Sequence, residues 1–337
     1  MRLRLAGVVF TLHCRDERLR RAARSDFDVA RDDEPATFRF RAIVRPLPAV
    51  AQNGIAIGRA RFTKWSSDVV ALRYFRETWI VYRYRDRRAL VVGPRHEEVL
   101  AVLSLVIQAA LGEWLDTRGV HRLHASAIDV PSGPVLFLGT SGRGKSSYAH
   151  AFLRAGFPVL ADDTAFVTPD GALLPCALPL KLRARPDDEV PAERRETARG
   201  EARYVVPIAT PSASPRGPAR QFFLLEPSLD GTSRLRASSR LILFLALVRW
   251  MVVGHELPQM WELFLRPSLR DGFTKARILL SRTRMAFRLA RHGRLERLEA
   301  RPGSEIVVAE RLGLSSIGRL ADGLSDRQRP EGHSGFH

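Results

Sequence analysis

The chain has 337 residues, 45% of them apolar and 27% charged, which excludes a low-complexity or disordered chain and suits a globular protein with a sizeable core. Its formal net charge of +18 invites a polyanion partner. Yet only four of 54 basic residues are lysine (Lys64, Lys145, Lys181 and Lys275), an arginine excess that GC-rich coding produces by itself, so a nucleic-acid partner is not expected.

The N-terminus turns polar by residue 13 and lacks the apolar core of a signal peptide. Residues 1–95 read as a β-rich region. Phe38 to Val44 alternates large apolar and basic side chains, as a half-buried strand does. Ile55 to Phe62 and Trp79 to Tyr84 read as further strands, with Asn53-Gly54 a turn between runs. Residues 96–117 switch to helical spacing through Val99, Val102, Leu103, Val106, Ala110, Leu111 and Trp114, and Gly119 is a natural stop. His124 to Val130 reads as one strand and Pro134 to Leu138 as the next. A helix over Ser147 to Ala155 and a strand over Pro158 to Ala161 follow. Residues 183–219, with six prolines among Arg, Glu and Ser, predict a lid-like segment. Gln221 to Glu226 is another strand. Residues 231–320 read as mostly helical, with Leu241 to Gly254 a buried helix, too short for the ~20 residues a bilayer span needs. A short strand near Arg297–Ala300 and a helix around Ser304–Leu312 come next, and residues 321–337 predict a disordered tail. The predicted organisation is an N-terminal region to residue 95, a core over 96–230 and a helical region over 231–320. Two cysteines, Cys14 and Cys176, form neither a metal nor a disulfide pattern and predict a reducing, cytoplasmic setting.

The chemistry concentrates in Gly139-Thr140-Ser141-Gly142-Arg143-Gly144-Lys145-Ser146-Ser147. This stretch fits the phosphate-binding loop G-x-x-x-x-G-K-[ST] at every fixed position, between an apolar strand and a helix. Gly139, Gly142 and Gly144 let the backbone turn tightly, so that successive N–H groups converge on one phosphate. The helix adds its positive N-terminal end. Lys145 would reach the β- and γ-phosphates and the Ser146 hydroxyl would ligate Mg²⁺, so ATP and Mg²⁺ are the expected cofactors. Asp162 and Asp163 close the next strand, expected beside the loop's strand in a parallel sheet, which would put both carboxylates at its carboxyl edge. One carboxylate would serve the metal, with Ser146 and Asp162 the candidate ligands. The other would accept the proton of an attacking hydroxyl, so Asp163, Asp162 and Lys145 are the catalytic candidates.

Together these residues resemble the catalytic domain of the HPr kinase/phosphorylase family. Its hallmark is a Gly-x-Ser-Gly-x-Gly-Lys-Ser loop, a short helix ending in glycine and a strand closing with Asp-Asp, here Gly139–Ser146, Gly156 and Val159–Asp163. His124-Ala-Ser-Ala-Ile-Asp is similar to the segment before the loop in that family, and the likeness runs over about residues 121–183. The resemblance implies an α/β phosphate-loop fold related to ATP-dependent phosphoenolpyruvate carboxykinases, and ATP-dependent phosphorylation of a serine hydroxyl on a small protein or peptide. The family's Glu-x-Arg-Gly segment is missing downstream of the aspartates, where Leu178-Pro-Leu-Lys-Leu-Arg183 stands instead. Phosphorylase activity, and HPr as the substrate, are therefore not expected. The chain is more similar to divergent relatives such as lasso-peptide kinases, which phosphorylate a ribosomal precursor peptide. Lys181 and Arg183 are candidates to restore positive charge near the transferred group, and His124 is a candidate for the site's edge.

Further along, residues 268–292 predict one helix with Phe273, Ala276, Leu280, Phe287 and Ala290 as its buried face. Arg270, Arg277, Arg284 and Arg291 recur every seven residues and form a stripe, either a solvated side or a docking face for an acidic peptide, anionic lipid or nucleic acid. A small-molecule or carboxykinase-like phosphotransferase, a nucleotide-binding regulatory protein without turnover, a nucleic-acid-binding ATPase and a homo-oligomer remain alternatives at this level.

Overall fold

The computed structural model describes residues 1–46, 55–57, 60–74, 77–176, 178–186, 191–196, 201–209, 214–228, 232–257, 260–264, 266–300 and 305–314. The turn at Asn53-Gly54 and the tail over 321–337 lie outside the described residues.

Period-two patterning builds the first sheet from β1 (Arg2–Leu5), β2 (Val8–Cys14), β3 (Asp28–Val29), β4 (Phe38–Val44), β5 (Ile55–Ile57), β6 (Ala60–Trp65), β7 (Val69–Tyr74), β8 (Thr78–Arg83) and β9 (Arg88–Gly93), with α1 (Glu17–Asp26) after β2. The order across it is β3-β1-β2-β4-β9-β8-β7-β6-β5. In β4, Phe38, Phe40 and Ala42 face the core while Arg39 and Arg41 stay exposed, as the alternation predicts. Helix α2 (His96–Asp116) covers the apolar face, packing on β4, β8 and β9. It is apolar nearly all round, with a mean hydropathy of 1.6 over its best window, long enough by composition alone to cross a bilayer. Here it is a core helix, because further chain covers its other side. Its buried Glu98 accepts hydrogen bonds from the Thr78 amide at 3.2 Å and hydroxyl at 2.8 Å, so the acid is not left unsatisfied.

The rest of the chain supplies β10 (His121–Leu123), β11 (Ser126–Val130), β12 (Gly133–Leu138), α3 (Lys145–Arg154), β13 (Val159–Ala161), β14 (Ala165–Val167), β15 (Ala172–Leu174), β16 (Leu180–Leu182), β17 (Glu193–Glu196), β18 (Ala202–Val206), β19 (Arg216–Pro218), β20 (Gln221–Pro227) and β21 (Arg234–Ser238). Then come α4 (Arg240–Leu247), a π-helical turn over Val248–Val252, α5 (Trp261–Phe264), α6 (Leu269–His292), β22 (Arg294–Ala300) and α7 (Glu305–Arg311). The fold is mixed α/β. A six-stranded sheet, β13-β11-β12-β20-β22-β21, carries the glycine-rich loop at the end of its central strand β12.

Several sequence expectations need correction. Val159–Ala161 does not lie beside β12: antiparallel β11 separates them, because the hairpin β11–β12 claims that edge first. The strand expected over His124 to Val130 forms as β11 from Ser126, and the residues just before it, His121–Leu123, make β10 in a different sheet. The segment 183–219 carries three strands, β17 to β19, rather than reading as lid alone. The helical region includes β21, paired antiparallel with β22. Leu241 to Gly254 is buried on one side only: Leu243, Leu247 and Met251 pack inward, while Leu241 and Leu245 are 65% and 56% exposed.

Helix α6 differs most. Of its predicted inner face only Ala290 is buried, while Phe273 and Phe287 are 77% and 61% exposed. The inward side is Ile278, Arg282, Met285, Ala286 and Leu289. The cause is an ion-pair cluster that hydrophobic periodicity does not register. Asp116, at the end of α2, accepts Arg282 Nη2 at 2.5 Å and Nε at 3.0 Å, His121 Nδ1 at 2.9 Å and Arg122 Nη2 at 3.2 Å. Burial alone would raise this carboxyl, but the Arg282 charge, the His121 hydrogen bond and Arg122 hold it well below the usual carboxylate range. Arg282 must face inward to reach Asp116, and that fixes the roll of the helix.

Candidate functional site

The loop over residues 139–144 leaves β12 and enters α3. Gly139, Gly142 and Gly144 have φ of 150°, 83° and 89°, a backbone that L side chains rarely adopt. A Cβ at Gly139 would also press on the Leu225 carbonyl at 3.1 Å. Gly144, the N-cap of α3, has no side chain to accept from the first-turn amides of the helix. Lys145 is nearly buried and folds back over the loop, donating to the carbonyls of Gly139 at 2.8 Å and Thr140 at 3.3 Å. Burial pulls its ammonium below the usual lysine range, and Asp163, Glu256 and Asp162 push it back.

The two aspartates diverge although they are adjacent. Asp162 is buried and accepts the Ser146 hydroxyl at 2.9 Å and 3.1 Å and the Ser126 hydroxyl at 2.5 Å. Burial and the neighbouring Asp163 charge raise its carboxyl to about 7, against the pull of Ser126, Ser146 and Lys145. Ser126 belongs to β11, so the strand that separates β13 from β12 also supplies a hydroxyl to Asp162. Asp163 is exposed and sits at φ 59°, which turns its side chain away from the interior.

His124 ties this corner together. Its Nδ1 lies 2.7 Å from the Asp163 carbonyl, and its Nε2 lies 3.0 Å from Glu256 Oε2, a close approach without hydrogen-bond alignment. Burial, with the Lys145 charge, pulls the His124 pKa down, and Asp163 and Glu256 push it back. The His124 amide donates to the Trp250 carbonyl, within the π-helical turn, at 3.1 Å. That wide turn and Gly254 redirect the chain so that Glu256, at φ 67°, reaches back to the histidine. Two of the five non-glycine residues with positive φ among the described residues thus flank one imidazole.

The structure brings Gly139, Gly142, Gly144, Lys145, Ser146, Asp162, Asp163 and His124 together, with Thr140, Ser141, Arg143 and Ser147 on the same loop and first helical turn. Arg183 joins them, its guanidinium 3.3 Å from where a Gly142 Cβ would stand. Lys181 is exposed on β16, between Leu180 and Leu182, which pack with Tyr148 and Phe152 of α3. Sequence reasoning missed Glu256, whose only local signal is a polar His-Glu pair after a long apolar run. Among the described residues no three His, Cys, Asp or Glu side chains form a ready metal cage. A hydroxyl and a carboxylate, as at Ser146 and Asp162, fit a hard cation that keeps waters and phosphate oxygens as its remaining ligands. A cavity of about 1280 Å³ lies elsewhere, lined by Arg39, Arg41, Arg83 and Arg88 on the outer face of the first sheet, and contains none of these groups. No protein-family model matches the chain, and no curated protein does.

Proposed function

We propose that the chain is an Mg²⁺-dependent ATP phosphotransferase with a phosphate-loop core related to HPr kinase, acting on a serine hydroxyl of a small protein or ribosomal precursor peptide. The observation that carries this is the contact of Ser146 with Asp162, at the uncapped N-terminus of a helix entered through three left-handed glycines. A helix start without a side-chain cap suits a phosphate. Lys145, released from the Gly139 and Thr140 carbonyls, would pair with the β- and γ-phosphates, and Arg183 would cover the loop from the far side. Ser146 and Asp162 would hold Mg²⁺, which would supply positive charge to offset that of the triphosphate.

Asp163 is the proposed base. Its carboxylate is exposed to an incoming acceptor and heads the charges acting on Lys145. As the acceptor oxygen bonds to the γ-phosphorus and the bond to the β-phosphate oxygen breaks, the hydroxyl proton passes to Asp163. His124 holds the Asp163 carbonyl and so orients that carboxylate. The serine-peptide acceptor rests on the resemblance alone.

Calorimetry with ATP and Mg²⁺, followed by transfer of labelled phosphate to candidate peptides, tests the proposal. Lys145→Ala is expected to weaken ATP binding at least about tenfold, since it removes a charged phosphate partner. Asp163→Asn is expected to keep ATP affinity and lose about 10²–10⁴-fold in transfer rate. Absence of ATP uptake in the presence of Mg²⁺ would overturn the assignment, and full transfer by Asp163→Asn would remove the base.

A further inference from the structure

Nine of the eleven large apolar side chains exposed among the described residues lie between Leu241 and Phe287, on or beside α4 and α6. On α6 the outward positions 269, 273, 276, 280, 283 and 287 follow a four-three spacing, which keeps them on one line along the helix. That line runs opposite the inward side formed by Ile278, Met285 and Leu289. Leu269 and Phe273 are 86% and 77% exposed and stand out as a ridge, beside which Pro267, Gly272 and Ala276 complete only a shallow, open depression. Phe287 meets Phe244 of α4 edge to face at 6.3 Å, which joins the ridge to the exposed Leu241 and Leu245. From Leu269 to Phe287 the ridge runs about 27 Å at ~1.5 Å per residue.

Arg270, Arg277, Arg284 and Arg291 follow the apolar line at a one-residue offset and form its flank, all exposed and without a carboxylate partner among the described residues. The one acid on α6, Asp271, is buried against Arg266. A patch of this kind marks an interaction surface. Charge decides the occupant. In a two-fold pairing of copies the same arginine row would face itself, with no exposed acid on α6 to compensate. The depression beside the ridge is too open to wall in a peptide helix. Projecting Phe and Leu beside an unpaired arginine row match a helix lying in the interface of an anionic bilayer.

We propose that α4 and α6 form a docking face for an anionic lipid surface, with Leu269, Phe273, Leu280 and Phe287 entering the acyl boundary and the arginine row pairing with headgroup phosphates. This docking is independent of the phosphotransfer assignment.

The test sediments the full chain with vesicles of phosphatidylcholine alone, or with roughly one-third phosphatidylglycerol, at about 0.1 M salt. Binding is expected only on the anionic vesicles and should fall as salt rises. Phe273→Ser with Phe287→Ser should weaken it at least about tenfold, as should Arg277→Glu with Arg284→Glu, with unchanged thermal melting in both. Failure to bind anionic vesicles overturns the proposal, and so does binding that ignores both variant pairs, since overall charge would then be the cause. A concentration-dependent dimer, or polyglutamate binding, that the serine substitutions abolish would instead assign the face to a second copy or an acidic polypeptide, overturning the lipid assignment.

Discussion

At Asp163 the backbone conformation and the chemistry can be separated. A non-glycine residue in the left-handed region costs about 1 kcal/mol. The contact with His124 uses the Asp163 carbonyl, which any residue retains. Asp163→Gly is therefore expected to melt no lower than the parent chain, with relief of the φ of 59° offsetting glycine's added chain entropy, while phosphotransfer is lost. A lower melting temperature, read by calorimetry, would mean that the side chain itself supports the fold. Glu256 is the reverse case, because its side chain makes the contact. Glu256→Gln should leave ATP binding in place and alter the pH profile of transfer, since it removes a carboxylate facing the His124 ring.

Among the elements, the cluster around Asp116 governs how α2, β10 and α6 meet. Removing one member of a buried ion-pair network costs about 3–5 kcal/mol, so Asp116→Asn should lower the urea midpoint strongly. The sign of the pH effect follows from the depressed carboxyl. Its stabilisation is fully present above the unfolded value near 3.9 and is lost as pH falls from there toward the folded value. The parent chain should thus lose stability steeply below about pH 4, and Asp116→Asn should show a shallower loss, measured as urea midpoints from pH 7 downward. The same cluster explains which elements were legible beforehand. The helices over 96–116 and 145–154 and the alternating β4 follow local patterns, and so do the loop, Lys145, Ser146 and the aspartates that end a strand. The roll of α6 depended on Arg282 finding Asp116, 166 positions away in sequence. No window of neighbouring residues contains that pair. Apolar periodicity alone therefore turned Phe273 and Phe287 inward. The insertion of β11 between β13 and β12, and the return of Glu256 to His124, are likewise set by non-local pairing.

Across the whole molecule, one apolar core joins the first sheet to α2 and continues to Phe166, Cys176, Leu263 and Phe264. The predicted boundary near residue 95 falls inside that core. Arg195 of β17 also pairs with Asp26 of α1 at 2.5 Å, a second tie between the first sheet's region and the strands beside the loop. A fragment starting at residue 96 should fail to unfold cooperatively in urea, whereas the full chain should give a single sharp transition. Stripped of its sheet, α2 would present Val99, Val102, Leu103 and Val106 bare on a cylinder of 21 residues, hydrophobic enough to be handled by a cell as a span. Truncation would thus convert a globular protein's central pillar into a decoy anchor, and such a fragment would pellet with lipid for reasons unrelated to arginine or to any surface the intact molecule displays.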